Sequence, residues 1–474
     1  MAPREHCGLC GIAGTPDSVP LAAEGLFSQQ HRGQEAAGLM AHTGTDLVLH
    51  TGTGLVAEAF ANLPHSLMSS GAMMAIGHVR YGTFGSSVAL NTQPLAAEVG
   101  GCPVGIAHNG TIHNASVLRR NLQREGAIFQ TDSDTEVVLH LMARNMAGSG
   151  FDVNNALLAS LEPLRGAYCL LLLTREGLIA LRDPLGFRPL SIGRLPGGGW
   201  AVASETIAFS VCGAEYVREV EPGEMLFMAF PGGGDPVSTR FSPAGKLAQC
   251  IFEHVYFARP GSLVFGDSVS QTRTRMGARL AREAPCEVDA VVPVPDSGTF
   301  AAMGYSRELG LPQDFCFTRN HYIGRTFISP ASSSRSSMVM RKLQIIPEAV
   351  RGRKLCVVED SIVRGTTSLT RIRALRAAGA AEVHMRVCCP PHRFGCYFGI
   401  DFPEQSSLVA YGRSVEEIRE LLDLDSLAYL SEEGMLSCVT AHPSQDYCTA
   451  CFSGVYASVP DGNPIPPRCG RGDA

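Results

Sequence analysis

Residues 355–368 read Leu-Cys-Val-Val-Glu-Asp-Ser-Ile-Val-Arg-Gly-Thr-Thr-Ser, and the fold turns on them. Leu355–Val358 reads as a buried strand, and Glu359 and Asp360 stand at its end. A turn of glycine and small hydroxyl residues follows, and the chain from Leu369 onward reads as a helix. Strand, acids, Gly/Thr turn and helix is how a parallel sheet builds a sugar-phosphate site. The acids suit ribose hydroxyls or Mg²⁺, and the free N–H groups of the turn and helix start suit a phosphate. Gly-Thr-Thr alone would mark only an ordinary strand-to-helix connection. The two adjacent acids before it favour a site.

Around this stretch helices and strands alternate. Met276–Glu283, Ala301–Leu309 and Leu369–Ala378 read as helices; Ala290–Val294, Lys354–Val358 and Glu382–Val387 read as strands. That alternation predicts a doubly wound parallel sheet, whose ligands sit beyond the carboxyl ends of its strands. Asp296-Ser297-Gly298 and Glu359–Ser368 both fall at such ends, so one ligand could touch both.

The composition is that of a globular protein, 45% apolar and 18% charged over 474 residues, enough for two or three domains. A net charge of −6 without a long basic run gives no sign of a nucleic-acid footprint. No apolar run is long enough for a membrane span, and Met1–His6 is too short and polar for a signal peptide. The expectation is a cytoplasmic protein with no nucleic-acid or membrane partner. Sixteen cysteines without an export signal argue against a disulfide framework. Most lie singly in apolar surroundings and read as core residues.

The first half offers a different chemistry. Cys7 opens an apolar strand, Cys7–Ile12, after a few expendable residues. Freed of Met1–His6, it would carry a thiol and an α-amine with an ordinary pKa near ~8, a nucleophile with its own base. The bland reading is a buried thiol. Gln30–Glu35 is a dense polar run after the apolar helix Leu21–Phe27. Gly77–Gly82 ends a strand in Arg80, suited to a carboxylate. Ala107–Gly110 ends an apolar run in Asn109 and Gly110, an amide and a flexible N–H of the kind that forms an oxyanion hole, or else a hairpin turn. Arg182–Leu190 reads as a strand connection punctuated by Gly and Pro.

In order, these segments resemble the glutaminase domain of amidotransferases with an N-terminal nucleophile. The resemblance implies that Cys7 attacks the glutamine amide, Arg80 binds the carboxylate and Asp134 the α-ammonium. It also implies that Asn109 and the Gly110 N–H hold the oxyanion and that Arg32 braces the glutamine site. Val357–Thr367 is similar to the phosphoribosyl pyrophosphate (PRPP) motif of type I phosphoribosyltransferases, and Pro293–Asp296 and Asn320–Phe327 narrow the likeness further. Together the halves resemble the amidophosphoribosyltransferases, specifically the iron–sulfur, propeptide-processed type. The implied fold is an α+β N-terminal-nucleophile (Ntn) hydrolase sandwich, αββα, followed by an α/β type I phosphoribosyltransferase domain with a parallel sheet. The implied division is a propeptide 1–6, a glutaminase domain 7–240, a phosphoribosyltransferase domain 241–424, and a C-terminal helical iron–sulfur segment with a loose tail, 425–474.

The implied PRPP contacts are Asp296, Ser297, Arg325, Lys342, Glu359, Asp360, Arg364, Gly365, Thr366, Thr367 and Ser368, with Mg²⁺ near Ser297, Glu359 and Asp360. Cys448 and Cys451 form a C-x2-C pair that on its own could be a redox pair or half a zinc site. The resemblance adds Cys250 and Cys396 and implies a [4Fe–4S] cluster. It also implies feedback by purine nucleotides and a homotetramer or dimer. The chain departs from the family pattern at Glu359, His321 and Gly261, where aspartate, arginine and aspartate are common, and at Met340, where some members have arginine. Two rivals remain. A non-catalytic PRPP-sensing regulator would leave Cys7, Arg80, Asn109 and Asp134 without a purpose. A sugar-aminating amidotransferase would lack the PRPP motif.

Overall fold

The protein is described by a computed structural model covering residues 7–44, 46–68, 71–81, 89–243, 245–320, 343–400 and 405–459. Of the expected residues, Met1–His6, His321, Arg325, Met340 and Lys342 lie outside these ranges.

The first half is a sandwich. The strand Gly8–Ala13 sits inside a seven-stranded antiparallel sheet, between Met74–Arg80 and Trp200–Ala203. A second antiparallel sheet of six strands contains Cys102–Ile112 beside Gly166–Thr174. Leu9, Met40, Ile76, Leu171, Leu178 and Val202 fill the layer between the sheets. The helices Ser18–Ser28 and Ile207–Cys212 cover the outer face of the first sheet. Thr135–Asn145 and Val153–Leu161 cover the second, completing the expected αββα order. Strands buried on both faces have no polar side, which is why Gly8–Ala13 and Gly166–Thr174 show unbroken small and apolar runs.

The second half carries a four-stranded parallel sheet in the order Ala290–Pro293, Lys354–Glu359, Glu382–Val387, Ser426–Tyr429. Thr299–Leu309 packs on the first two strands and Thr366–Ala377 on the third. Two details differ from expectation. The last strand, Ser426–Tyr429, lies past the expected boundary at 424, because it pairs with Glu382–Val387 and the sheet core runs on through it. The helix expected from Leu369 begins at Thr366, since Gly365, at φ 74°, takes the left-handed conformation that lets the chain turn directly into it.

Near the C-terminus Gln249–Cys250 pairs in parallel with Tyr447–Cys448, which sets Cys250 beside Cys448. No helix among the described residues is long and apolar enough to cross a membrane.

Candidate active sites and the interface between them

The first site forms where two sheets meet. Gly8–Ala13 pairs with Met74–Arg80, with Gly8 opposite Val79, so Cys7 and Arg80 share one sheet edge. The Cys7 thiol faces the Tyr81 carbonyl at 3.9 Å. Burial pushes that thiol above its ordinary value; Arg80 pulls it back down and Asp134 pushes it up. Arg80 and Asp134 therefore both lie within electrostatic reach of the thiol. The Asp134 carboxylate accepts the Ile112 N–H at 2.9 Å and lies 3.6 Å from His108 Nδ1. Burial opposes its ionisation, but His108 and the N–H groups of Ile112 and Thr135 hold it below the usual carboxylate range.

Asn109 and Gly110 do not form a turn. They lie inside the strand Cys102–Ile112, with Gly110 at φ 143°. A Cβ on Gly110 would stand 2.1 Å from the Ala167 carbonyl, so only glycine fits. Asn109 is fully buried and points its Nδ2 at Ser204 Oγ, 3.4 Å away.

Arg32 is the expected site residue with a different position. It is 1% exposed and its guanidinium faces two carboxylates, Glu205 and Glu253, with Nη2 to Glu253 Oε2 at 2.5 Å. Glu253 also accepts Arg188 Nη1 at 3.2 Å, while Arg188 Nη2 donates to the Phe398 carbonyl at 2.7 Å. Arg32 and Arg188 come from the first half and Glu253 from the second, so this buried chain of charges joins the halves. The Arg32 stem lies beside the nucleophile strand: a Cβ on Gly8 would lie 3.4 Å from it.

The second site is a cavity of about 950 Å³ at the carboxyl ends of the parallel strands. Asp296, Ser297, Glu359, Asp360, Arg364, Gly365, Thr367 and Ser368 all line it, and Thr366 opens the helix beside them. Its wall also includes His31 and Gln34 from the first half. One cavity therefore borders both halves.

Glu359 and Asp360 are both buried, and burial raises both above the usual carboxylate range. Asp360 accepts from Ser297 Oγ and from Ser361 Oγ at 2.5 Å. Glu359 pairs with Arg371 and accepts Ser368 Oγ at 3.0 Å. The longer acid thus reaches back to the helix behind it, while Asp360 holds the Ser297 loop. Asp296 pairs with Arg319.

The other cysteines expected as cluster ligands lie within electrostatic reach of Cys451. Cys250 and Cys448 are register neighbours, and the Cys451 carbonyl accepts the N–H groups of Arg393 and Phe394 at 3.1 and 3.2 Å, three and two residues before Cys396. Burial raises the Cys451 thiol, and after burial the charges of Cys250, Cys396 and Cys448 act on it most strongly. All four are free thiols. Among the described residues no group of three or more His, Cys, Asp or Glu side chains converges on a single-ion position.

Arg80 yields a direct prediction. Its charge favours the Cys7 thiolate, so Arg80→Gln should push that thiol further up and lower the thiolate fraction at fixed pH. Alkylation of Cys7 by iodoacetamide at pH 8 should slow at least about threefold, on the scale of half a pKa unit or more. An unchanged rate would separate Arg80 from the thiol.

Residues 79–211 match the glutamine amidotransferase domain family. The chain is 44% identical over 460 residues to a chloroplastic amidophosphoribosyltransferase of Glycine max, covering 97% of this chain and 79% of that one. It is 43% identical over 459 residues to the amidophosphoribosyltransferase of Archaeoglobus fulgidus, covering 95% and 99%. A solved glutamine PRPP amidotransferase from B. subtilis, complexed with ADP and GMP, superposes with a TM-score of 0.88 at 42% identity, covering 95% of this chain and 97% of that one.

Proposed function

The chain belongs to the amidophosphoribosyltransferases, and from that premise we propose how its residues divide the reaction. The enzyme makes 5-phosphoribosylamine, glutamate and pyrophosphate from PRPP, glutamine and water, the first step of purine synthesis. The observation that carries the division is that one cavity walled by the acids, the Ser297 loop and the Gly365 turn also touches the glutaminase half at His31 and Gln34.

In the glutaminase site the Cys7 sulfur attacks the side-chain amide carbon of glutamine. A carbon–sulfur bond forms and the carbonyl electron pair moves onto oxygen, facing Asn109 and the Gly110 N–H. Collapse breaks the carbon–nitrogen bond, and ammonia leaves with a proton carried by the Cys7 α-amine. Water then hydrolyses the thioester to glutamate. Arg80 and Asp134 hold the carboxylate and ammonium of the substrate. This scheme needs residues 1–6 removed, and an intact-mass measurement reads that directly.

In the second site ammonia attacks the ribose C1 as pyrophosphate leaves. Asp360 holds ribose hydroxyls, with Glu359 beside it, and Arg364–Ser368 holds the 5-phosphate at the helix start. Arg325 and Lys342 act toward the pyrophosphate. The carboxylates and the Ser297 hydroxyl suit Mg²⁺ by donor chemistry, and the ion would neutralise charge on the pyrophosphate. Glu359 must leave Arg371 to take part, so its reach is the feature that most distinguishes this site.

Four free thiols, Cys250 and Cys451 buried and Cys396 and Cys448 half-buried, suit a [4Fe–4S] cluster, which spreads its thiolates more widely than a single ion does. We assign it a structural part, joining the start, middle and end of the second half. Purine nucleotides as inhibitors, a homo-oligomer and a cytoplasmic location complete the proposal; the B. subtilis relative with its ADP and GMP supports the first. No comparison supports the non-catalytic PRPP sensor.

A glutamine-plus-PRPP assay after anaerobic purification tests the scheme. Pyrophosphate and glutamate should appear in equal amounts, with iron and sulfide also equal in the protein. Glutamate without pyrophosphate would sink the coupled reaction. Absence of iron would sink the cluster alone.

A further inference from the structure

Ser204 and Glu205 follow the strand Trp200–Ala203, are both fully buried, and have no part in the scheme above. Ser204 Oγ accepts the Leu9 N–H at 3.0 Å and Asn109 Nδ2 at 3.4 Å, and the Ser204 N–H donates to the Leu9 carbonyl at 3.1 Å. Leu9 is two residues beyond Cys7. One hydroxyl therefore fixes the nucleophile's strand and the side chain of Asn109 relative to each other. It occupies one amide hydrogen of Asn109 and leaves the other for a ligand.

The next residue faces the other site. Glu205 Oε1 accepts His31 Nε2 at 2.7 Å, and Oε2 accepts the Arg259 N–H at 2.8 Å and Ser262 Oγ at 2.7 Å. His31 and Arg259 both line the 950 Å³ cavity. Gln29 completes the connection: its Oε1 accepts the Glu205 N–H at 3.1 Å and its Nε2 donates to the Leu9 carbonyl at 3.1 Å.

We propose that Ser204 is a positioning residue for the glutaminase step, aiming the Asn109 amide at the oxyanion, with Gln29 and Glu205 holding the Leu9 end of the same strand. The proposal rests on the roles given above to Cys7 and Asn109. A hydroxyl that only filled space would affect folding and both half-reactions alike. A hydroxyl that aims a transition-state donor affects kcat with glutamine and nothing in the ammonium reaction.

Steady-state kinetics on Ser204→Ala, with Asn109→Ala as reference, decide it. Ser204→Ala should lower kcat for glutamine by about 10- to 100-fold, with KM for glutamine and ammonium-dependent synthesis within about twofold. If Ser204→Ala does not accumulate folded, Ser204→Cys carries the test, because a thiol fills the space but accepts hydrogen bonds poorly. An unchanged kcat, a KM change alone, or equal loss of both reactions would overturn the proposal. If Asn109→Ala itself keeps full glutamine activity, the oxyanion assignment has failed, and the Ser204 proposal falls with it.

Discussion

Cys7→Ala should lower glutamine-dependent synthesis by at least about 10³-fold and leave ammonium-dependent synthesis within about twofold. The asymmetry follows from the layout. Cys7 stands at the head of a strand in the antiparallel sandwich, whereas the acids and the Gly365 turn stand on the parallel sheet. A methyl in place of the thiol at this half-buried position disturbs neither sheet, so the second site keeps its geometry. The check is pyrophosphate release from PRPP, with glutamine in one series and ammonium chloride in the other. Retained glutamine activity would remove Cys7 from the mechanism. Loss of both activities would mean that the thiol supports the fold or the second site.

Glu253→Ala should destabilise the protein by about 3–5 kcal/mol, the cost of leaving a buried charge without its partner. Glu253 is fully buried and is shared by Arg32 and Arg188, themselves 1% and 0% exposed. Arg32 would keep Glu205, but Arg188 would keep only the Phe398 carbonyl. Glu253→Gln should cost less, because the amide oxygen still accepts one guanidinium hydrogen bond. Chemical denaturation followed at Trp200, the chain's single tryptophan, reports from within the first half. A loss below about 1 kcal/mol in Glu253→Ala would place that site in solvent-like surroundings, contrary to its burial.

The parts of the molecule legible in the sequence are those whose chemistry is local. The stretch Lys354–Ser368 carries its strand, acids, turn and helix start in order, and the structure keeps that order. Cys7, Arg80 and Asn109 stand out because each ends or begins an apolar run, and a buried run that stops in a polar group marks an edge; Asp134 lies inside the polar run 131–136 and only the family resemblance singles it out. The charge chain was not legible. Glu253 sits in Phe252–Phe257, an apolar stretch whose period resembles any core segment, and its partners lie 221 and 65 residues away. Arg188 sits in Arg182–Leu190, which does connect strands as its Gly and Pro indicate. Its reach into the other half depends on how the halves dock, and no local pattern encodes that. Ser204 and Glu205 were missed for the same reason. A serine and an acid after an apolar strand look like an ordinary helix cap. Only the register opposite Leu9 reveals Ser204 as part of the first site. The one available hint was two acids, Glu205 and Glu253, standing in otherwise apolar runs, which burial tolerates only with partners.

The alternation of Glu205, Arg32, Glu253 and Arg188 also bears on how far the two catalytic halves are interchangeable. Each half alone would hold an unbalanced ion: the first would keep Arg188 without its carboxylate, and the second would keep Glu253 without either cation. Neither is therefore a free-standing module, and a chimera that took its glutaminase half from a protein lacking this pairing would inherit a buried, unmatched charge at the seam. Recombination between such enzymes should succeed where both sides of the seam travel together and fail where the cut falls between Arg188 and Glu253.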